Sequence, residues 1–325
     1  MAHVLRGRPR RSKRARLVVV MVLVATRTAI AAMAWADFPS VLPALQSDPV
    51  LAAAGDIACA TTAPEFHATA GVPGACQARA TSDELLALHP TAVATLGDNQ
   101  YDDASLAQFK ASFDPTWGRV KSQIHPAEGN HEVEKDAKAA GYYGYFGAAA
   151  GDPKQGFYSY DLGAWHVVVL NSNCLQIGGC GPGSPEEKWL STDLFSHRTP
   201  CTLAYWHHPR WSSGEHGNNP LLGTIWQDLY GANVDVVLNG HDHDYERFAP
   251  QDPWGRADPA HGIREFVSGT GGARFERLAT RQPNSQVLSQ TFGVLALTLH
   301  AKGYDWKFVP QAGKTFTDAG TAACH

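Results

Sequence analysis

From Pro49 onward, short apolar runs alternate with polar, helix-patterned or glycine-rich segments, a rhythm that predicts an α/β or α+β domain rather than an all-helical one. The runs predict strands over Val50–Ala54, Ala92–Leu96, Gln123–Ala127, Trp165–Leu170, Thr202–Trp206, Val234–Leu238, Arg264–Val267, Phe292–Leu299 and Tyr304–Val309. Helical patterns cover Thr81–Leu88, Ser105–Phe113, Ser184–Phe195 and Leu221–Leu229. The third opens on Ser184-Pro185-Glu186-Glu187, a capping residue followed by proline at the first helical position and acids in the first turn. The late strands alternate apolar and polar residues better than the early ones, as sheet with one wet face does. No internal repeat or linker interrupts the pattern, so one domain is expected over residues 37–325.

Chemistry-bearing residues gather where strands end. Val50–Ala54 runs into Gly55-Asp56, and Ala92–Leu96 into Gly97-Asp98-Asn99-Gln100-Tyr101. Gln123–Ala127 leads to Gly129-Asn130-His131-Glu132, Thr202–Trp206 to His207-His208-Pro209, and Val234–Leu238 to Gly240-His241-Asp242-His243. Each piece alone has a local explanation: Gly-Asp is a common turn, and a His pair can face solvent. Two histidines one residue apart can nevertheless serve two ions, because alternate side chains diverge while their backbone stays close. Five such strand ends in one chain supply carboxylates, an amide, a phenol and imidazoles together, and loops at strand carboxyl ends converge in open α/β sheets.

The N-terminus changes the compartment. Arg6, Arg8, Arg10, Arg11, Lys13, Arg14 and Arg16 precede the apolar Leu17–Ala25 and then small residues, the layout of a secretory signal over residues 1–36. Cleavage sites follow Ala34 or Ala36, and Arg27 cuts the apolar run short for a membrane span; an uncleaved anchor is the alternative. The localisation expected is secreted or extracytoplasmic. Removing that segment takes eight of 27 Lys+Arg and none of 31 Asp+Glu, so the formal charge moves from −4 to −12. Such a balance excludes nucleic-acid binding through a basic face, and no other segment predicts a membrane span. Six cysteines in an exported chain favour disulfides. Cys59 with Cys76 and Cys174 with Cys180 would close short loops, leaving Cys201 to tie Cys324 to a core strand; zinc binding is disfavoured because there is no C-x-x-C pair.

The ordered set Gly55-Asp56, Gly97-Asp98-Asn99-Gln100-Tyr101, Gly129-Asn130-His131-Glu132, Ala204-Tyr205-Trp206-His207 and Gly240-His241-Asp242-His243 resembles the calcineurin-like metallophosphoesterases, and within them the purple acid phosphatases. The motif order there is GD, GDxxY, GNH(D/E), VxxH and GHxH, and the only departure is Ala204 in place of valine. The resemblance implies a four-layer αββα sandwich of two mixed sheets flanked by helices. It implies that Asp56, Tyr101 and His243 bind one metal, that Asn130, His207 and His241 bind the other, and that Asp98 bridges them. A phenolate donor implies Fe(III) beside a divalent Fe, Zn or Mn. Two carboxylates, a phenolate and a bridging hydroxide carry four negative charges, so a trivalent and a divalent ion leave a positive site for phosphate, whereas two divalent ions leave it neutral.

The same resemblance implies hydrolysis of a small phosphate monoester by attack of a metal-bound hydroxide, the two ions about 3.5–4 Å apart clamping the phosphoryl group. His131 is the first candidate to protonate the leaving group, with Glu132 placed to orient its ring; His216 and then His208 follow as substrate-facing histidines. A phosphodiesterase or nucleotide hydrolase on the same fold is the alternative, and a secreted binding protein that has lost catalysis a third. Plant members carry a β-sandwich domain before the first GD, and the stretch Asp37 to Ala54 is too short to build one. The loops Cys174–Pro185 and Pro209–Pro220 frame the expected pocket and belong to this chain alone, so substrate choice and oligomeric state stay open.

Overall fold

A computed structural model of the protein describes residues 47–325; the expected signal segment lies outside the described residues. Thirteen strands follow in chain order: β1 Val50–Ala54, β2 Ala92–Leu96, β3 Ile124–Ala127, β4 Tyr158–Leu162, β5 Trp165–Val169, β6 Cys201–Tyr205, β7 Val236–Asn239, β8 Tyr245–Phe248, β9 Arg264–Ser268, β10 Ser285–Ser289, β11 Gly293–His300, β12 Gly303–Pro310 and β13 Ala319–Ala323. The α-helices are α1 Ala78–Leu88, α2 Leu106–Gln108, α3 Asn130–Val133, α4 Ala140–Phe146, α5 Pro185–Ser196 and α6 Gly223–Gly231. None of the described helices is long and apolar enough to cross a membrane.

The strands form two mixed sheets, ordered β13-β12-β11-β1-β2-β3 and β10-β8-β9-β7-β6-β5-β4. Alternation along β1 shows why they stack. Leu51 and Ala53 face inward with Leu96, Trp165, Val167, Leu203, Tyr205, Phe266, Leu295 and Phe308, forming the core between the sheets. Ala52 and Ala54 face outward, packing with Val93 against Leu85 of α1 and the aromatic group Phe109, Phe113, Trp117 and Tyr142. On the far side, Val168, Ala204, Trp206 and Val237 pack against Leu190 of α5 and Ile225, Trp226 and Leu229 of α6. The result is the expected αββα sandwich.

All nine expected strands form, within two residues at their ends. Four more were not visible in the pattern: β4, β8, β10 and β13. Three of these are sheet edges, where half the surface has no sheet neighbour and the apolar signature is weak. The helix expected over Ser105–Phe113 is corrected: Ser105 caps α2, which passes into a π-helical turn over Phe109–Phe113. The helix at Ser184 forms as read, with Ser184 Oγ accepting from the Glu187 amide at 3.3 Å. Three disulfides close, Cys59–Cys76, Cys174–Cys180 and Cys201–Cys324, and no described cysteine is free.

Candidate metal centre

β1, β2 and β3 run parallel in one sheet, and β6 and β7 run parallel in the other. Their carboxyl ends deliver Asp56, Asp98, Asn130, His207, His241 and His243 to one region, as the spacing of the sequence implied. Asp56 Oδ1 accepts from the Tyr101 hydroxyl at 2.8 Å and lies 3.2 Å from His243 Nε2, which is itself 2.9 Å from the same hydroxyl. A second trio adjoins it: His207 Nε2 lies 3.0 Å from Asn130 Oδ1 and 3.2 Å from His241 Nδ1. Asp98 stands between, its Oδ2 3.3 Å from His207 Nε2. The donor atoms of Asp56, Asp98 and His207 lie within 4.8 Å of one another, as do those of His207, His208 and His241.

These separations fit resident metal ions. Donors about 2.1 Å from a shared ion sit about 3.0 Å apart at octahedral and about 3.4 Å apart at tetrahedral angles, close to the separations of 2.8 to 3.2 Å given above. Tautomers point the same way. His207 Nδ1 faces the Leu96 carbonyl at 2.8 Å, and His243 Nδ1 faces the Arg274 carbonyl, so each ring donates there and directs its Nε2 into the site. His241 Nδ1 and His207 Nε2 then face each other, a pairing that a shared electrophile stabilises.

The backbone is bent to achieve this. Asp56, Asp98 and His241 all adopt positive φ, at 59°, 45° and 72°, a region costly for any residue but glycine. Motif glycines make room: a Cβ on Gly129 would sit 2.0 Å from Asp98 Oδ1, and one on Gly240 2.6 Å from Asp56 Oδ2. Asp56 and Asp98 are fully or almost fully buried. Burial opposes ionisation of Asp98, yet the His207 and His131 rings and the His131 amide hold its carboxyl far below the usual range. Burial lowers His207, but the carboxylates of Asp98 and Asp56 outweigh it and push the ring up to about 10. His243 likewise rises to about 9 against its burial, chiefly through Asp56. Burial and the adjacent Asp56 and Asp98 carboxylates push Tyr101 well above 10, so without a cation its phenol stays protonated.

The three histidines expected around the substrate also converge. His131 Nδ1 faces the Asp102 carbonyl at 3.0 Å, leaving Nε2 3.9 Å from Asp98 Oδ2. His208 packs 4.3 Å from the His241 ring and bonds Ser172 Oγ at 2.7 Å; burial and His207 lower it to about 3, a neutral imidazole. His216 stacks on His241 at 4.1 Å, and its Nε2 lies 3.1 Å from Glu276 Oε2.

Glu132 does not orient the His131 ring as expected. Its carboxylate turns inward and accepts from the amides of Gly129 at 2.7 Å, Asn99 at 2.9 Å and Gln100 at 3.3 Å, tying the Asp98 loop to the Asn130 loop. The sequence hid this role, since an acid after Asn-His reads equally well as a ring partner. Glu276 was not foreseen, because nothing around it in the chain marks it. A cleft of about 230 Å³, lined by Tyr101, His131, His243, Arg274 and Glu276, opens beside the metal candidates.

The family model of the calcineurin-like phosphoesterases matches residues 52–245. Purple acid phosphatase 15 of Arabidopsis thaliana is 29% identical over 149 residues, covering 40% of this chain and 27% of that protein. Purple acid phosphatase 21 of the same plant is 33% identical over 148 residues, covering 42% and 32%. The chain thus spans about a third or less of the length of these two relatives. Among solved structures, purple acid phosphatase PPD1 from yellow lupin (Lupinus luteus) seeds superposes with a TM-score of 0.70 at 18% identity, covering 86% of this chain and 54% of that one, a likeness of fold. With more than half of its length matched by the family model, the chain belongs to the calcineurin-like phosphoesterases and is a purple acid phosphatase-like member of them.

Proposed function

We propose that this protein is a secreted two-metal phosphoesterase that hydrolyses phosphate monoesters. The observation that carries the reading is the meeting of two donor trios about one buried carboxylate, Asp98. Asp56, Tyr101 and His243 would hold Fe(III); Asn130, His207 and His241 would hold a divalent ion, and Asp98 would bridge. When bound, such ions supply Lewis acidity toward phosphoryl oxygens and lower the pKa of water.

The chain's own residues do the rest. His131, its Nδ1 anchored on the Asp102 carbonyl, presents Nε2 to the cleft and gives a proton to the departing alkoxide. His216, stacked on the His241 ring, is the second candidate to contact a phosphoryl oxygen. His208, neutral and fixed by Ser172, keeps the His241 face packed rather than charged. Glu132 holds the two loops in register from beneath.

The test is turnover of p-nitrophenyl phosphate against bis-p-nitrophenyl phosphate by the purified protein, with metal analysis of the same sample. Preference for the monoester and iron near one equivalent are expected. A strong diester preference would sink the monoester reading in favour of a phosphodiesterase. No turnover of either by metal-loaded protein would favour a binding protein on this fold. Export is tested separately by the N-terminal sequence of the mature chain, expected to begin after Ala34 or Ala36.

A further inference from the structure

We infer that His216, Asp242 and Glu276 form a third divalent-cation site beside the two-metal centre. One donor atom from each lies within 4.8 Å of the others, and none of the three belongs to the ligand set proposed above. His216 Nε2 and Glu276 Oε2 are 3.1 Å apart, close to the roughly 3.4 Å that two donors take about a tetrahedral zinc ion.

The second observation is Asp242. Its side chain is wholly buried, and only one of its oxygens is committed: Oδ1 accepts from the His216 amide at 2.8 Å, while Oδ2 has no hydrogen-bond partner. A buried carboxylate oxygen without a partner costs about 1–3 kcal/mol or more, and carboxylates kept in such places pair with a cation. Among the described residues, no lysine or arginine forms an ion pair with Asp242 or Glu276, and the ionic contacts of Glu276 are with His216 and His243. Asp244, one residue past His243, is also buried with both oxygens unpartnered.

The site joins two loops. Gly214 lets the 212–217 loop wrap the Asp242 carboxylate, where a Cβ would fall 2.3 Å from Oδ1. Glu215 reaches across and accepts from the Arg277 amide at 3.0 Å, beside Glu276. An ion held by one imidazole and two carboxylates would clamp these loops, and such a mixed set suits Zn(II) or Mn(II). Because it would occupy the His216 nitrogen, the clamp sets whether that ring reaches substrate; excess metal then acts as a brake.

Equilibrium dialysis of the full chain against zinc, with metal counted per chain, tests the site. Wild type is expected to hold one equivalent more than Glu276→Gln and one more than His216→Ala. That difference of one carries the inference whatever the total, so a failure of the two-metal reading shows in the total and a failure of the third site in the difference. Equal counts in wild type and both variants would overturn it. Loss of two or more equivalents on Glu276→Gln would also overturn it, since Glu276 would then serve the two-metal centre itself.

Discussion

His207 Nδ1 lies 2.8 Å from the carbonyl oxygen of Leu96, a contact that joins the end of β6 in one sheet to the end of β2 in the other. It fixes the ring's tautomer and ties its position to the turn that carries Asp98. Gly97 makes the approach possible. At φ +83°, a Cβ there would sit 2.6 Å from the imidazole. Gly97→Ala is therefore expected to displace His207 and to cost about 2 kcal/mol or more in backbone strain alone. Bound metal should fall below two equivalents and kcat/KM should fall at least about tenfold. A variant with full metal content and unchanged kinetics would show that the Leu96 contact does not position the ring.

Glu132 accepts three backbone amides within a fully buried setting. Glu132→Ala orphans all three, each costing about 1–3 kcal/mol when buried, so a drop in Tm of several degrees is expected. Because those amides belong to the Asp98 and Asn130 loops, metal affinity should fall with it. Glu132→Gln keeps an acceptor and should fall between, a ranking that a thermal melt with and without added metal checks.

Tyr101 carries the prediction on metal identity. Its hydroxyl sits 2.8 Å from Asp56 Oδ1 and 2.9 Å from His243 Nε2, and burial keeps it neutral unless a strong cation takes the proton's place. The loaded enzyme should show a visible tyrosinate–Fe(III) band, and Tyr101→Phe should abolish it while the fold persists. Active protein containing only zinc or manganese, with no band, would refute the iron assignment.

Much of this site was legible because each donor follows an apolar strand, and strand ends converge by topology rather than by local detail. Asp56, Asp98 and His207 accordingly meet at those strand ends, their donor atoms within 4.8 Å of one another, although each position alone read equally well as a turn or strand-end residue. What stayed hidden depended on side-chain direction. Glu132 lies next to His131 in sequence, yet helix α3 turns its carboxylate away toward the β2 loop. Glu276 approaches His216 and His243 from a segment more than thirty residues away from either, through a loop without periodic pattern. The edge strand β13 escaped notice because Ala319–Ala323 has little β-propensity; pairing with β12 and the neighbouring disulfide hold it.

That disulfide joins Cys201 at the start of β6 to Cys324, residues separated by 123 positions. Closing so long a loop removes unfolded-state freedom worth about 3–5 kcal/mol in the chain-entropy account. Replacing Cys201 and Cys324 together with alanine should lower Tm by several degrees and release the C-terminal strand to proteolysis. The metal centre lies at the opposite end of β6, so kcat at low temperature should hold. A loss of metal in the double variant would show that the two ends of the strand are coupled.

The second sheet carries a pH-sensitive pair away from the two-metal centre. His166 is buried in the second sheet, with Nδ1 2.9 Å from Asp161 and Nε2 2.8 Å from Asp193, which also accepts from Ser159 Oγ at 2.8 Å. The His197 ring stacks on it at 4.3 Å, and its Nδ1 lies 3.3 Å from Asp193. Burial lowers His166, but the two carboxylates outweigh it and raise the ring above 6.5. Burial raises Asp193, but His166 and Ser159 outweigh it and hold it below 3.8. A raised folded-state pKa on His166 gives stability fully present below about 6.5 and lost as pH rises through the folded value. A depressed one on Asp193 gives stability present above about 3.8 and lost as pH falls through the folded value. Both contributions coexist between those limits. Breaking a buried pair costs about 3 kcal/mol, while the exposed Asp161 adds little because solvent screens it. The stability gap between wild type and His166→Gln, from urea unfolding of metal-free protein, should therefore peak near pH 5. It should shrink toward pH 9 as the folded-state imidazolium is lost, and a gap that stays constant from pH 5 to 9 would show that His166 is not charged in the folded protein.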